Sequence, residues 1–157
     1  MAYRRCYLGS PYQVITVLVV DDERVARRIA TRILTEEGFR VLEADGATEA
    51  VEVLGQARGR VDLVMLDVVM PGTDGVELTH SILAEWPDQR LLYMSAYPAE
   101  ILVRHGLEDL DVPFLAKPFT RAELLQKVKS ALRRPAGQPG ATSQVVERRK
   151  TPRMRGK

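Results

Sequence analysis

"VMLDVVMPGTDG", residues 64–75, runs an apolar segment into a carboxylate, Asp67, and then into a Met-Pro-Gly turn. A short apolar run bounded by turn signals reads as a strand buried on both faces, because a half-buried strand would alternate. The strand is expected over 61–66. Aspartate at a strand end is common for local reasons alone, since it suits turns and caps helices. Whether Asp67 is more than a turn residue depends on what else the chain brings to the same place.

The pattern repeats outward from that strand. Residues 14–20 are a β-branched run suited to a second buried strand. Over 23–37 the apolar residues Val25, Ala26, Ile29, Ala30, Ile33 and Leu34 form the stripe of an amphipathic helix, which Gly38 ends. Residues 40–44 predict a short strand, 48–57 a helix, 74–86 a helix stopped by Pro87, and 91–94 a strand. A short helix over 98–106 and a last strand over 113–116 follow. Thr120 and Glu123 have the spacing of a capping box, opening a helix to about residue 132. Trp86 and Ile82 share one helical face and read as core. Five strand–helix repeats imply an α/β domain, a doubly wound five-stranded parallel sheet joined by right-handed crossovers.

In such sheets, sites form outside the carboxyl ends of the strands. The first strand ends in Asp21-Asp22, the third in Asp67, the fourth in Ser95-Ala96 and the fifth in Lys117-Pro118. Three crowded carboxylates repel one another, so a divalent cation is their natural occupant. Oxygen-only ligands suit Mg²⁺, with Mn²⁺ an acceptable substitute. A lysine beside them is a point charge for a phosphate oxygen, a serine hydroxyl can donate to another, and one carboxylate can act as nucleophile. A haloacid-dehalogenase-type phosphatase would want a second Asp two residues after Asp67, where Val69 stands, and a calcium loop fails for the same reason. His80 and His105 lie on predicted helices without a partner at metal spacing, as surface histidines do.

The 157 residues suffice for one domain with some surplus. Residues 1–13 read as an N-terminal extension, 14–133 as the domain and 134–157 as a basic tail. Residues 1–132 carry 15 Lys and Arg against 20 Asp and Glu, whereas 133–157 carry 8 against 1. The tail, ending "RRKTPRMRGK", has no aromatic interleaving and is punctuated by Pro and Gly. That composition fits a disordered, solvated segment and argues against nucleic acid as a partner. The single cysteine, Cys6, excludes a disulfide framework. No stretch has the length of a membrane span, and a cytoplasmic location is expected.

"VLVVDDE" (17–23), "VMLDVVMPGTDG" (64–75), "LLYMSA" (91–96) and "FLAKPF" (114–119) resemble the receiver domain of bacterial two-component response regulators, in order and spacing, over residues 14–133. Residues 91–132 look most like the receivers at the C-terminus of hybrid histidine kinases. The resemblance implies a flavodoxin-like receiver fold with strand order 2-1-3-4-5, and a cis Lys117–Pro118 bond. It implies Asp67 as phosphoacceptor, and Mg²⁺ held by Asp22, Asp67 and the backbone carbonyl of Val69, with Asp21 acting directly or through water. Lys117 becomes the phosphate-binding lysine, Ser95 the switch hydroxyl, and Phe114 the switch aromatic, lacking the hydroxyl that many relatives carry there. Val69 and Tyr97 would flank the approach of a hydrolytic water, and small Ala96 would leave access to Asp67. The implied partners are a histidine kinase or a histidine phosphotransfer protein. A homodimer through the surface of the fourth helix, fifth strand and fifth helix is also compatible. The chemistry would be confined to its own phosphorylation and dephosphorylation. The expected role is a single-domain switch acting by partner binding. A phosphorelay intermediate or phosphate sink is the alternative, and a DNA-binding regulator using the tail is a third.

Overall fold

The computed structural model describes residues 14–97 and 112–134. Strand β1 (Thr16–Val20) pairs in parallel with β2 (Arg40–Ala44) on one side and with β3 (Leu63–Asp67) on the other. Beyond β3 the sheet continues through β6 (Leu91–Ser95) to β7 (Phe114–Ala116), all parallel. The order β2-β1-β3-β6-β7 is the 2-1-3-4-5 arrangement that the resemblance implies. Every residue of β1, β3 and β6 is buried, which is why these stretches read as continuous apolar runs rather than as alternations.

Alternate residues serve opposite faces. Val17, Val19, Leu63, Met65, Leu92 and Met94 pack with Ala30 and Leu34 of α1 (Arg24–Glu36) and with Leu124 and Val128 of α4 (Arg121–Arg133). Leu18, Val20, Val64, Leu66 and Tyr93 face α2 (Ala47–Ala57) and α3 (Gly75–Glu85) through Ala50, Leu54, Leu78 and Ile82. Each large aliphatic side chain buried in this way contributes about 1.5–3 kcal/mol. Trp86 is partly buried against the second cluster, and His80 is exposed.

Several boundaries differ from expectation for physical reasons. The buried stripe of α1 is narrower than its apolar residues suggest. Ala30 and Leu34 are buried, whereas Val25 is 64% and Ile29 48% exposed. At 3.6 residues per turn, Val25 and Ile29 fall on the edge of the stripe and turn away from the sheet. Strands β3 and β6 each run one residue further than the apolar pattern, so Asp67 and Ser95 are themselves the last ladder residues. Between β3 and α3 the chain forms a small antiparallel pair, β4 (Val69–Met70) with β5 (Thr73–Asp74). Gly72 turns it at a φ of 73°, a conformation glycine adopts without strain. Helix α3 therefore begins at Gly75 rather than at Asp74. The Thr120 capping box forms, with Glu123 accepting the Thr120 amide at 2.7 Å and Thr120 Oγ1 accepting the Glu123 amide at 3.2 Å. Lys117–Pro118 is cis.

The expected helix over 98–106 with His105, the N-terminal extension and the basic tail beyond Arg134 lie outside the described residues. Among the described residues no helix is long and apolar enough to cross a membrane.

Gly75 locks this architecture beside Asp67. A Cβ there would stand 2.6 Å from the Val68 carbonyl oxygen and 3.0 Å from that of Asp67, both backbone atoms that cannot step aside alone. Gly75→Ala should lower unfolding free energy by about 1–3 kcal/mol, read as the denaturant midpoint. Gly55, exposed within α2 with nothing within 4 Å of its would-be Cβ, is the contrast. Gly55→Ala should raise stability by about 0.5–1 kcal/mol. Equal effects at the two sites would remove the close-approach argument.

Candidate functional site

Because the five sheet strands are parallel, their carboxyl ends share one rim, and four of them deliver polar side chains to it. Asp21 and Asp22 follow β1, Asp67 ends β3, Ser95 ends β6 and Lys117 follows β7. Asp21, Asp22 and Asp67 each place a carboxylate oxygen within 4.8 Å of the others. Asp21 is fully buried, Asp67 is 6% exposed, and Asp22 faces outward.

Each buried carboxylate is held on both oxygens. Asp21 Oδ1 accepts the Glu23 amide at 2.9 Å, and Asp67 Oδ1 accepts the Val69 amide at 3.0 Å. The Lys117 ammonium donates to Asp21 Oδ2 at 2.6 Å and to Asp67 Oδ2 at 2.8 Å. Lys117 is itself anchored through its amide, which donates to the Ser95 carbonyl at 2.8 Å. The Asp21 backbone is tied on two sides as well. Its amide donates to the Ala44 carbonyl at 3.2 Å, and its carbonyl accepts Arg27 Nη1 at 2.5 Å.

The charges respond to burial in opposite senses. Burial pushes the Asp67 carboxyl above its usual range, outweighing the hydrogen bonds from Lys117 and Val69, and the Asp21 charge pushes the same way. For Lys117 burial acts downward, but hydrogen bonds to Asp21 and Asp67 win and hold the ammonium above its ordinary value. One ammonium therefore faces three carboxylates, leaving an excess of negative charge that a cation would relieve. The donor set is oxygen only, and each carboxylate oxygen keeps a second lone pair after accepting one N–H. These residues fit a hard divalent ion such as Mg²⁺.

Asp21, Asp22, Asp67 and Lys117 thus converge as the sequence suggested. Ser95 reaches the same rim, where it is fully buried and its Oγ accepts the Tyr97 amide at 3.0 Å. Val69, in β4, is 37% exposed, Tyr97, on the loop leaving β6, is 48% exposed, and Ala96 is exposed. Phe114 is half-buried against the α2–α3 face and lies opposite Tyr93 in the ladder.

Two features had no clear sequence signal. Nothing in the pattern singles out Arg27 from its neighbours Arg24 and Arg28. The second is a buried chain in which the Tyr93 hydroxyl donates to Thr79 Oγ1 at 2.9 Å and Thr79 Oγ1 donates to the Gly75 carbonyl at 2.8 Å. The Gly75 amide in turn donates to the Val68 carbonyl at 3.1 Å. Burial pushes the Tyr93 hydroxyl up to about 12, so it remains a donor at neutral pH. A polar Thr79 inside an apolar helical stripe was the only hint.

Comparison with known proteins agrees with this geometry. The family model of the response regulator receiver domain matches residues 17–129. Sensor kinase CckA of Brucella abortus (strain 2308) is 37% identical over 117 residues, which are 74% of this chain and 12% of that protein. Response regulator MprA of Mycobacterium sp. (strain KMS) is 33% identical over 132 residues, 84% of this chain and 56% of that protein. The chain therefore spans well under two thirds of either relative. Among solved structures, the CheX–CheY–BeF3–Mg²⁺ complex from Borrelia burgdorferi superimposes with a TM-score of 0.69 at 33% identity, covering 76% of this chain and 90% of that one.

Lys117→Met leaves Asp21 and Asp67 buried without their shared cation. Unfolding free energy should fall by about 3 kcal/mol, measured by denaturant titration without divalent ions. The pH dependence has a definite sign. A carboxyl raised by folding contributes most at low pH; Lys117→Met removes the hydrogen bond and charge that pull Asp67 down, so the variant gains more from protonating it and the gap should narrow on acidification. A raised lysine contributes fully below its unfolded value of 10.5 and loses the contribution as pH climbs through its folded value, so the gap should also close in strong alkali. A gap that is negligible at neutral pH would show that the two ion pairs carry no net stability.

Proposed function

The chain belongs to the response regulator receiver domain family of two-component signal transduction, and on that premise we propose that Asp67 is its phosphoacceptor. The observation that carries the reading is the Lys117 ammonium, held within hydrogen-bond distance of Asp67 and Asp21 at once beside a third carboxylate, Asp22. This gives a nucleophile, a fixed positive charge for an incoming phosphoryl oxygen, and carboxylates for a divalent ion. Receiver domains take their phosphoryl group from histidine kinases or histidine phosphotransfer proteins, and that is the donor class proposed here, with small acyl and amido phosphates as substitutes.

An Asp67 oxygen attacks phosphorus in line. The bond from phosphorus to the donor nitrogen or acyl oxygen breaks, and the leaving group departs with the bonding pair. Desolvation of Asp67 favours this attack, because a carboxylate stripped of water has less hydration to lose. Lys117 then exchanges a contact with carboxylate oxygen for one with phosphoryl oxygen. Mg²⁺ held by Asp21, Asp22, Asp67 and the Val69 carbonyl would supply the remaining charge neutralisation. Ser95 is the switch hydroxyl in this reading. Its O–H donates to the new oxygens while its Oγ can still accept the Tyr97 amide, so a shift of Ser95 is passed to Tyr97. Phe114, already half-buried, is the aromatic that swings further inward, and partner binding is the readout.

The same reading favours a switch over a phosphate sink. Val69 and Tyr97 are both exposed at the loops flanking the site, and neither carries a carboxamide or carboxylate to orient a hydrolytic water. Self-dephosphorylation should therefore be slow.

Incubation with Mg²⁺ and a small phosphodonor should label the wild-type protein with a base-labile acyl phosphate, and Asp67→Asn should abolish it because an amide is no nucleophile. Equally labile label in that variant would refute the assignment. For the lifetime, Val69→Asn combined with Tyr97→Glu should speed decay of the phosphorylated protein by at least about tenfold. Unchanged or slower decay would remove the argument against a sink.

A further inference from the structure

We infer that Arg27 is a positioning residue for the cation site, holding the Asp21–Asp22 segment where its carboxylates can share an ion with Asp67. The inference rests on the proposed role of those three carboxylates and concerns what keeps them in place.

Arg27 lies on α1 and reaches back over the start of its own helix. Its Nη1 donates to the Asp21 carbonyl at 2.5 Å. Its Nε stands 3.5 Å from Glu43 Oε2 on β2, with the two side chains 15% and 40% exposed. At that distance the Nε–Glu43 contact is an ion pair without a hydrogen bond. Nε is indeed one of two buried side-chain polar atoms without a hydrogen-bond partner among the described residues. Buried donors are seldom left in that state. The guanidinium is held by its hydrogen bond to the Asp21 carbonyl and by charge attraction to Glu43.

That carbonyl belongs to the peptide unit joining Asp21 to Asp22. The preceding unit is fixed by the Asp21 amide on Ala44, and the Asp21 carboxylate by the Glu23 amide and Lys117. Among the described residues Arg27 Nη1 donates to this peptide, and the plane of the peptide sets the direction in which Asp22 leaves the backbone. Three carboxylates within 4.8 Å repel, and Asp22, being exposed, is the one free to swing out. A fork of donors with a permanent charge opposes this in two ways, by fixing the peptide plane and by placing positive charge behind the cluster. Lysine at this position would keep the charge and lose the fork.

Mg²⁺ titration of the full chain by calorimetry tests this, together with amide exchange of Asp21 and Glu23 measured without metal. Arg27→Met should weaken Mg²⁺ affinity about tenfold, the low end for loss of a group that orients a metal ligand, and should speed exchange of both amides. Arg27→Lys should recover part of each. Arg28→Met, an equal charge loss at an exposed position on the same helix, should stay near wild type. Unchanged affinity in Arg27→Met overturns the inference, even with a lowered melting temperature, because that is the mark of a purely structural residue. An equal loss in Arg28→Met overturns it too, by reducing the effect to general charge. If Arg27→Met does not fold, Arg27→Lys decides: affinity equal to wild type overturns the inference. A wild-type chain that binds no Mg²⁺ would fail at the cation site itself, a result distinct from wild-type binding that Arg27 does not influence.

Discussion

The Lys117 ammonium between Asp21 and Asp67 is the interaction on which the rest of the structure depends. It joins residues that are 96 and 50 positions apart in the chain and stand on strands separated by others in the sheet. The strand order is what makes this contact available. With β1, β3, β6 and β7 side by side and parallel, the residues after their carboxyl ends meet without any loop having to travel. A lysine ammonium buried to this degree is tolerable only because carboxylates accept from it, and the carboxylates are tolerable only because it is there. The pair of contacts therefore fixes register at the rim as well as charge.

Burying reactive charge works against stability, and the surrounding fold offsets it. Asp67 stays above its usual carboxyl range despite the lysine, so the folded chain carries it at a cost at neutral pH. The compensation lies in two buried faces of branched and linear aliphatics and in a backbone with little freedom around the acid. Behind Asp67, the Val68 carbonyl receives the Gly75 amide, and Thr79 and Tyr93 close the chain from α3 back to β6. The strand that bears the acid and the strand that ends at Ser95 are thus linked through the interior, separately from their ladder contacts.

Much of this was legible in the residues. The runs 14–20, 61–66 and 91–94 read as buried strands because interior parallel strands need no polar face, and Asp21, Asp67 and Ser95, just beyond their apolar ends, marked the rim. The capping box at Thr120 and Glu123 was readable because its mechanism is local. What escaped depended on tertiary context. Val25 and Ile29 carry the right residue type at the right spacing for a buried stripe and still face outward, since helix orientation against the sheet decides which edge is covered. The β4–β5 pair is too short to leave a periodic signature, and only Pro71-Gly72 hinted at it. Arg27 could not be told from its neighbours, because its hydrogen bond is to a backbone carbonyl, which no motif displays. The hydrogen bond from the Tyr97 amide to Ser95 Oγ belongs to loop geometry, which residue types do not specify.

The central claim is that Asp67 is the group that becomes phosphorylated. Borohydride reduction of the chain after treatment with Mg²⁺ and a phosphodonor, followed by peptide mass mapping, tests it most directly, because an acyl phosphate is reduced to the alcohol at the residue that carried it. Homoserine at position 67, formed only when both Mg²⁺ and donor are present, is the expected result. Reduction at Asp21, Asp22 or any other carboxylate, or an unmodified Asp67 in a chain that binds Mg²⁺ and turns over the donor, would contradict it.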